Sequence, residues 1–194
     1  MQVLEPAPVG VAGHSEDVLV QRAKTGDADA FADLYERLCT RVFRYFFYRV
    51  GHREEAEDLT EQVFLKAWQA MPGYDWRGVP FSAWIFRLAH NLLIDHKRSS
   101  RDRGDLDEAL EIEDESEGPE EMTLRRVEAH ALATAIGQLS AIEQTVVILR
   151  FVERIDHRSV ASIIDKTEVA TRSIQSRALA RLARLLEGAG REQE

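Results

Sequence analysis

Apolar residues recur three and four positions apart along most of the chain, without the period-two alternation of strands, so the pattern predicts helices nearly throughout. Ser15 can cap a short helix that stops at Thr25-Gly26. Asp27 can cap a second, which carries Phe31, Leu34, Leu38, Val42 and Phe46 on one side and ends at Gly51. Its aromatic cluster, Phe43 to Tyr48, is too dense for one face, so part of it must meet two neighbours or stay exposed. A third helix is expected from Arg53 to Ala70, with Ala56, Leu59, Val63 and Ala67 facing inward and Pro72-Gly73 as the stop. A loop, Tyr74 to Pro80, leads to a fourth helix from Phe81 to about Lys97.

The helical pattern resumes with Leu124, Val127, Ala131, Leu132, Ala135 and Ile136. Ser140 and Glu143 have capping-box spacing ahead of Val146, Val147, Leu149 and Phe151. Segments at about Asp156 to Ile164 and Glu168 to Leu186 complete a second module. The expected fold class is all-α, with two small helical domains at 15–98 and 122–187. A flexible acidic linker at 99–121 joins them, with tails at 1–14 and 188–194.

Charge changes this picture through its placement. The net charge of −9 argues against a nucleic-acid partner only until it is mapped. The stretch from Asp102 to Glu121 holds eleven acids against the single base Arg103, which leaves the rest of the chain at +1. That stretch also has too few apolar residues for a core, so it is read as flexible. The single cysteine, Cys39, excludes an internal disulfide, and its helical position predicts a buried thiol. No apolar run approaches membrane-spanning length, and the start of the chain lacks the basic region of a signal peptide. A cytoplasmic protein without membrane insertion is expected.

Two tracts carry candidate chemistry. The first mixes aromatic faces with cations: Trp76, Arg77, Phe81, Trp84, Arg87, His90, Asn91, Lys97 and Arg98. Unstacked bases lie on aromatics while cations follow the backbone, so the mixture suits single-stranded nucleic acid. The bland reading is that Phe81, Trp84, Leu88 and Leu92 are helically spaced core; Trp76, on a loop between glycines, fits it least. The second tract has helix-turn-helix spacing: Val160 to Ile164, a turn at Asp165 to Thr167, then a longer helix. Arg172, Gln175, Ser176 and Arg177 lie off its apolar stripe in the half that meets base edges, and Arg181 and Arg184 can reach phosphates. A solvated helix in a plain bundle is the alternative.

The acids at the start of the third helix are sufficiently explained by the helix dipole. No Glu-x-x-His motif occurs, and His90 and His96 sit on poorly matched faces, so no metal site or cofactor is expected. No phosphate-cradling loop or nucleophile–base pair appears, so no enzyme is expected.

Ala56 to Trp68 followed by Phe81 to Arg98 resembles region 2 of an extracytoplasmic-function sigma factor of the sigma-70 family. Leu139 to Phe151 and Arg172 to Leu179 resemble region 4 of the same family, and the likeness runs from about Asp17 to Leu186. The resemblance implies transcription initiation with bacterial core RNA polymerase. It implies that Asp58, Glu61, Gln62 and Phe64 dock on the β′ clamp helices. Trp76, Trp84, Arg87, Asn91 and Arg98 would read and open the minus-ten element. Arg172, Ser173, Gln175, Ser176, Arg177 and Arg181 would read the minus-thirty-five element as duplex, with the module near the β flap. The acidic linker would thread the RNA channel, and an anti-sigma factor is a partner the resemblance allows. Opening would draw on binding energy, since extruding a base costs about a few kcal/mol.

Some positions depart from the family pattern. Glu61-Gln62 reverses the usual order, His90 stands where an Arg is frequent, and Asp165 and Val169 replace glycines. The competing reading is a stand-alone helix-turn-helix regulator that binds duplex DNA without polymerase. A protein-interaction adaptor is the third.

Overall fold

The computed structural model describes residues 15–75, 79–103 and 132–191. Among these no strand occurs. Helix α1 (Glu16–Lys24) starts at Ser15, whose hydroxyl accepts from the Val18 N–H at 3.4 Å. It ends at Thr25, just before Gly26 with φ 89°. Helix α2 (Ala28–Val50) starts at Asp27, which accepts from the Ala30 N–H at 3.0 Å and from Arg22 Nε at 2.8 Å. The Ala30 amide and the Arg22 guanidinium together hold this carboxyl below its ordinary range. Gly51, with φ 82°, ends α2 in the left-handed conformation that favours glycine. Helix α3 (Arg53–Ala70) passes into a 3-10 turn at Met71–Gly73.

Helix α4 (Phe81–Arg103) begins where Glu16 Oε1 accepts the Phe81 N–H at 3.0 Å, so α1 caps α4 from across the bundle. It runs past the expected end near Lys97 and takes up Ser99 to Arg103. The reason is local. No glycine or proline intervenes before Gly104, and Arg101 and Arg103 suit the negative end of the helix dipole. Most of the acidic stretch, from 104 on, and the pattern at Leu124 to Ala131 lie outside the described residues.

α1 packs on α2, α2 on α3 and α3 on α4 around Leu34, Val42, Tyr45, Phe46, Leu59, Ile85 and Phe86. The dense aromatic stretch divides: Tyr45 and Phe46 are buried, while Phe43, Phe47 and Tyr48 are half-buried. Cys39 is half-buried too, unlike the expected core thiol.

The second module has helical residues 132–137 (α5) and helix α6 (Ala141–Val147) behind the Ser140–Glu143 capping box. A π-helical turn at Ile148–Val152 follows, then α7 (His157–Ile163) and α8 (Glu168–Arg191). Asp156 caps α7 through the Ser159 N–H at 3.0 Å. Asp165 takes φ 52°, as the turn between α7 and α8 requires. Thr167 then caps α8, accepting from the Ala170 N–H at 3.2 Å. α8 continues to Arg191 through Gly188 and Gly190, beyond the tail boundary expected at 188, because no proline stops it. α6 and α7 both pack on α8, around Val146, Leu149, Val160, Ile174 and Ala178.

The two modules touch through α4 against α7 and α2 against the π-helical turn. Three arginines of α2 cross this boundary. Arg41 Nε donates to Glu153 Oε2 at 3.0 Å and Arg44 Nε to Glu153 Oε1 at 3.0 Å. Arg49 Nη1 donates to Ala141 O and to Thr145 Oγ1, each at 2.6 Å.

Candidate functional site

Three surfaces carry the residues singled out above. The first is the outer face of α3. Asp58, Glu61 and Gln62 are exposed there, at positions one and about two turns into the polar stripe. Phe64 does not join them: it is only 5% exposed and packs edge-on against Tyr35 at 4.7 Å. α3 buries adjacent pairs, Leu59-Thr60 and Val63-Phe64, because α2 flanks one side of its inward stripe and α4 the other. The polymerase-docking role expected of Phe64 is therefore replaced by a core role. The exposed apolar residue of this face is Leu65, 58% exposed, at the i+7 position from Asp58. Asp58, Glu61, Gln62 and Leu65 follow the i, i+3, i+4, i+7 rule, and an apolar side chain on that polar stripe was the available signal.

The second surface is an open cavity of about 350 Å³ beside α4. Trp84, Arg87, Leu88 and Asn91 line it from α4, Tyr74 and Asp75 from the preceding loop, and Ser162 from α7. Trp84 is half-buried, with its ring 4.7 Å from Tyr74 and 5.3 Å from Phe81. Tyr74 and Phe81 meet edge-on at 5.4 Å. This aromatic cluster fixes the Trp84 plane and leaves one part of the indole facing the cavity. Arg87 and Asn91 are exposed one turn apart, so a cation and an amide stand over an aromatic wall. The core reading and the binding reading of Trp84 are thus both partly right. Arg98 is exposed two turns further along and lines a separate cleft with His90, Lys97 and Lys166. Trp76 lies outside the described residues.

The orientation of α4 depends on His90, which stands between Arg87 and Asn91. It is 9% exposed, and its Nδ1 lies 3.3 Å from the Tyr45 hydroxyl. Burial, with the nearby Arg49 charge adding to it, brings the imidazole down to about 4, so the ring is neutral at pH 7. Arg49 is 3% exposed and bound only to neutral acceptors, a carbonyl and a hydroxyl. Its Nε has no hydrogen-bond partner. An imidazolium beside that guanidinium would be a second buried charge of the same sign. The His90 that departs from the family's Arg therefore keeps one cation out of the bundle.

The third surface is the outer face of α8. Thr171, Ile174, Ala178 and Leu182 face inward, which leaves Arg172, Ser173, Ser176 and Arg177 exposed together on the first turns. Arg172 is 3.5 Å from Glu168, an exposed pair that restrains it only loosely. Gln175 is turned partly inward, and its Oε1 accepts from Arg150 Nε at 3.3 Å, so it is not free to face outward like its neighbours. Arg181 lies 3.9 Å from Glu143, near the entry of α6. The Ser140 hydroxyl, and less strongly the neighbouring Arg181 and Arg177 charges, hold the Glu143 carboxyl below its ordinary range. Arg184 Nε donates back to Ala180 O at 3.3 Å. The helix-turn-helix thus presents four polar side chains without any partner chain.

No group of three or more potential metal-ligating side chains forms among the described residues, and no described helix is long and apolar enough to cross a membrane.

Comparison with known proteins follows the same division of the chain. Residues 34–103 match the family model for Sigma-70 region 2, and residues 135–184 match that for Sigma-70, region 4. The ECF RNA polymerase sigma factor BldN of Streptomyces coelicolor is 39% identical over 173 residues, which cover 87% of this chain and 64% of BldN. The ECF RNA polymerase sigma factor SigD of Mycobacterium tuberculosis is 32% identical over 184 residues, covering 92% of this chain and 87% of SigD. Among solved structures, CnrH in complex with the cytosolic domain of CnrY aligns with a TM-score of 0.70 at 21% identity, over 90% of this chain and 99% of that one. RpoE of Bartonella quintana, in complex with the anti-sigma factor NepR, aligns with a TM-score of 0.67 at 23% identity, over 81% and 96%. Both share the fold.

Proposed function

The chain belongs to the extracytoplasmic-function sigma factors of the sigma-70 family, and from that membership we propose a division of labour among its three surfaces. As an RNA polymerase sigma factor it directs core polymerase to promoters. The α3 face, Asp58, Glu61, Gln62 and Leu65, docks on the β′ clamp helices, with carboxylates and an amide around one apolar contact. The α4 cavity takes bases of the minus-ten element: Trp84 offers a stacking surface, Asn91 a donor and acceptor for a base edge, and Arg87 a phosphate contact. Arg98 extends the cationic track along the backbone. The α8 face reads the minus-thirty-five element as duplex through Arg172, Ser173, Ser176 and Arg177, with Arg181 on phosphate. Gln175 supports Arg150 in this arrangement instead of reading a base. The units 15–98 and 122–187 are the corresponding region 2 and region 4 domains, the second next to the β flap.

The observation that carries the reading is the convergence of Trp84, Arg87 and Asn91 on one open cavity with a rigid aromatic wall. Catalysis of a covalent step is not needed from this chain; unpairing is driven by binding, against about a few kcal/mol per extruded base. The site of action is the cytoplasm, where polymerase and promoter are. An anti-sigma factor is a further partner under this reading.

The test is co-purification with bacterial core RNA polymerase, then transcription from a library of promoter fragments. A stoichiometric complex that starts RNA at fragments sharing two spaced elements is expected. Tight duplex binding by the free chain at palindromic half-sites, with no polymerase complex, would overturn it in favour of a stand-alone regulator.

A further inference from the structure

The strongest ionic contact between the two modules involves a group with no counterpart in the division of labour above. Glu153 lies just after the π-helical turn, and its side chain is 0% exposed. Both of its carboxylate oxygens are used by α2. Arg41 Nε reaches Oε2 at 3.0 Å while Arg41 Nη2 takes the Glu153 carbonyl at 2.9 Å. Arg44 Nε reaches Oε1 at 3.0 Å, and its Nη2 reaches Oε2 at 3.3 Å. These are charge-assisted bonds, the kind that fixes a register. The arginine side chains are 32% and 44% exposed, so anions from solvent can reach them.

α7 sits against α4 in the same arrangement, and Ser162 of α7 is part of the wall of the cavity that holds Trp84, Arg87 and Asn91. One side of that cavity is therefore closed by the other module.

We infer that the basic face of α2, Arg41 and Arg44, is an interaction surface whose resident partner is the chain's own Glu153, and that this contact keeps the free protein in a self-inhibited, closed state. In it, α7 narrows the approach of a single strand to the α4 cavity. The inhibitory part of this inference rests on the promoter-opening role given to that cavity; the closed state itself does not.

The contact is suited to release. Arg49, next along the same face of α2, carries its charge into the interface with no carboxylate beside it and with Nε unpartnered. A buried guanidinium held by neutral acceptors opposes closure, while the two arginines on Glu153 favour it. The closed state is a balance between these two, which a competing polyanion or a rise in salt shifts toward opening. Arg41 and Arg44 then become free for the phosphates or carboxylates that displaced Glu153.

The experiment uses the full-length chain with Glu153→Gln, Glu153→Arg and the charge-reversed triple variant Arg41→Glu/Arg44→Glu/Glu153→Arg. X-ray scattering reads the radius of gyration, and a fluorescein-labelled mixed-sequence single-stranded DNA reads access to the cavity. Glu153→Arg is expected to raise the radius of gyration about 1.3-fold above that of a compact chain of this length. The triple variant is expected to restore the wild-type value, which no simple loss of folding would do. Glu153→Gln, which adds no positive charge, is expected to tighten strand binding about tenfold, the factor by which a one-in-ten open population weakens apparent affinity. Helical ellipticity and a melting curve accompany each variant.

An unchanged radius of gyration in Glu153→Arg overturns the closed state, as does a triple variant that stays expanded. Expansion with no gain in strand binding overturns the self-inhibition, provided wild-type holoenzyme opens promoters. If holoenzyme opens none, the functional reading has failed while the closed state stands on the scattering.

Discussion

The two modules solve the problem of presenting reactive side chains in opposite ways. In the first, the residues assigned to DNA are built into the packing: Trp84 leans on Tyr74 and Phe81, and Asn91 follows a buried histidine that touches Tyr45. In the second, Arg172, Ser173, Ser176 and Arg177 stand on the solvent side of a single helix whose other side is apolar. A base taken out of a duplex needs a rigid wall to lie against, and rigidity comes from burial. A duplex brings its own rigidity, and a regular helix suffices to read it. Changes in the first module should therefore affect stability and function together, and changes in the second should separate them.

The largest effect tests this at two adjacent positions. Phe64→Ala is expected to destabilise the first module by about 3–5 kcal/mol, the usual result of deleting a buried phenyl ring. Leu65→Ala should change stability by less than about 0.5 kcal/mol, as for an exposed site, and instead weaken the complex with core polymerase. Urea titration and co-purification read the two. Equal stabilities for the two variants would break the contrast between buried and displayed residues on α3.

Next in size is a pH effect confined to the first module. His90 is held at about 4, against 6.5 in the unfolded chain, so between those values the unfolded state binds the extra proton. Stability is therefore full above about pH 6.5 and falls as pH drops toward 4, by roughly 3 kcal/mol in all. His90→Gln, which keeps an acceptor for Tyr45, should flatten the profile in that window. Denaturant melts across pH 4 to 7.5 give the measurement. A wild-type stability that does not fall between pH 6.5 and 4.5 would show that His90 is not buried neutral.

These cases also show which parts of the molecule could be read from the chain. The limits of α3, the caps Ser15 and Asp27, Gly51 as a stop and the capping box of α6 all depend on neighbours within a few residues, and they follow from the pattern alone. The turn at Asp165 was legible for the same reason. Phe64 was not, because its burial depends on α2 and α4 flanking α3, which a single helical stripe does not encode. Glu153 was still harder. Its partners Arg41 and Arg44 are 112 and 109 residues away, and a glutamate after a helix reads as solvated until the fold brings them together. Arg49 and His90 belong to the same class, since each looks like an ordinary surface cation until the modules close around it.

In the second module the effects should be smaller and purely functional. Arg172→Ala removes an exposed side chain whose protein partner, Glu168, is 3.5 Å away on the next turn of the same helix. Stability should move by less than about 0.5 kcal/mol, because exposed i,i+4 pairs contribute little. Promoter affinity should fall by about 1–3 kcal/mol, with preference relaxed at one base pair of the upstream element. Selection from randomised promoters with the variant holoenzyme would show it, and a uniform loss across all positions would reassign Arg172 to phosphate.

Arg181 marks the lower end of the scale and the sharpest form of the contrast. Its only protein partner printed by the geometry is Glu143 at 3.9 Å, and both groups keep solvent contact, so the pair contributes little to folding. If Arg181 meets a phosphate, Arg181→Ala should weaken binding to every promoter alike and lower the salt slope by about one. The same substitution at Arg87, in the cavity wall, should instead alter strand opening, since Arg87 acts beside Trp84 and not along an intact duplex. Holoenzyme binding measured from 50 to 200 mM salt, with opening followed separately, distinguishes the two arginines. Identical behaviour would mean that both modules hold DNA only by its charge, and the difference in their construction would then have no functional consequence.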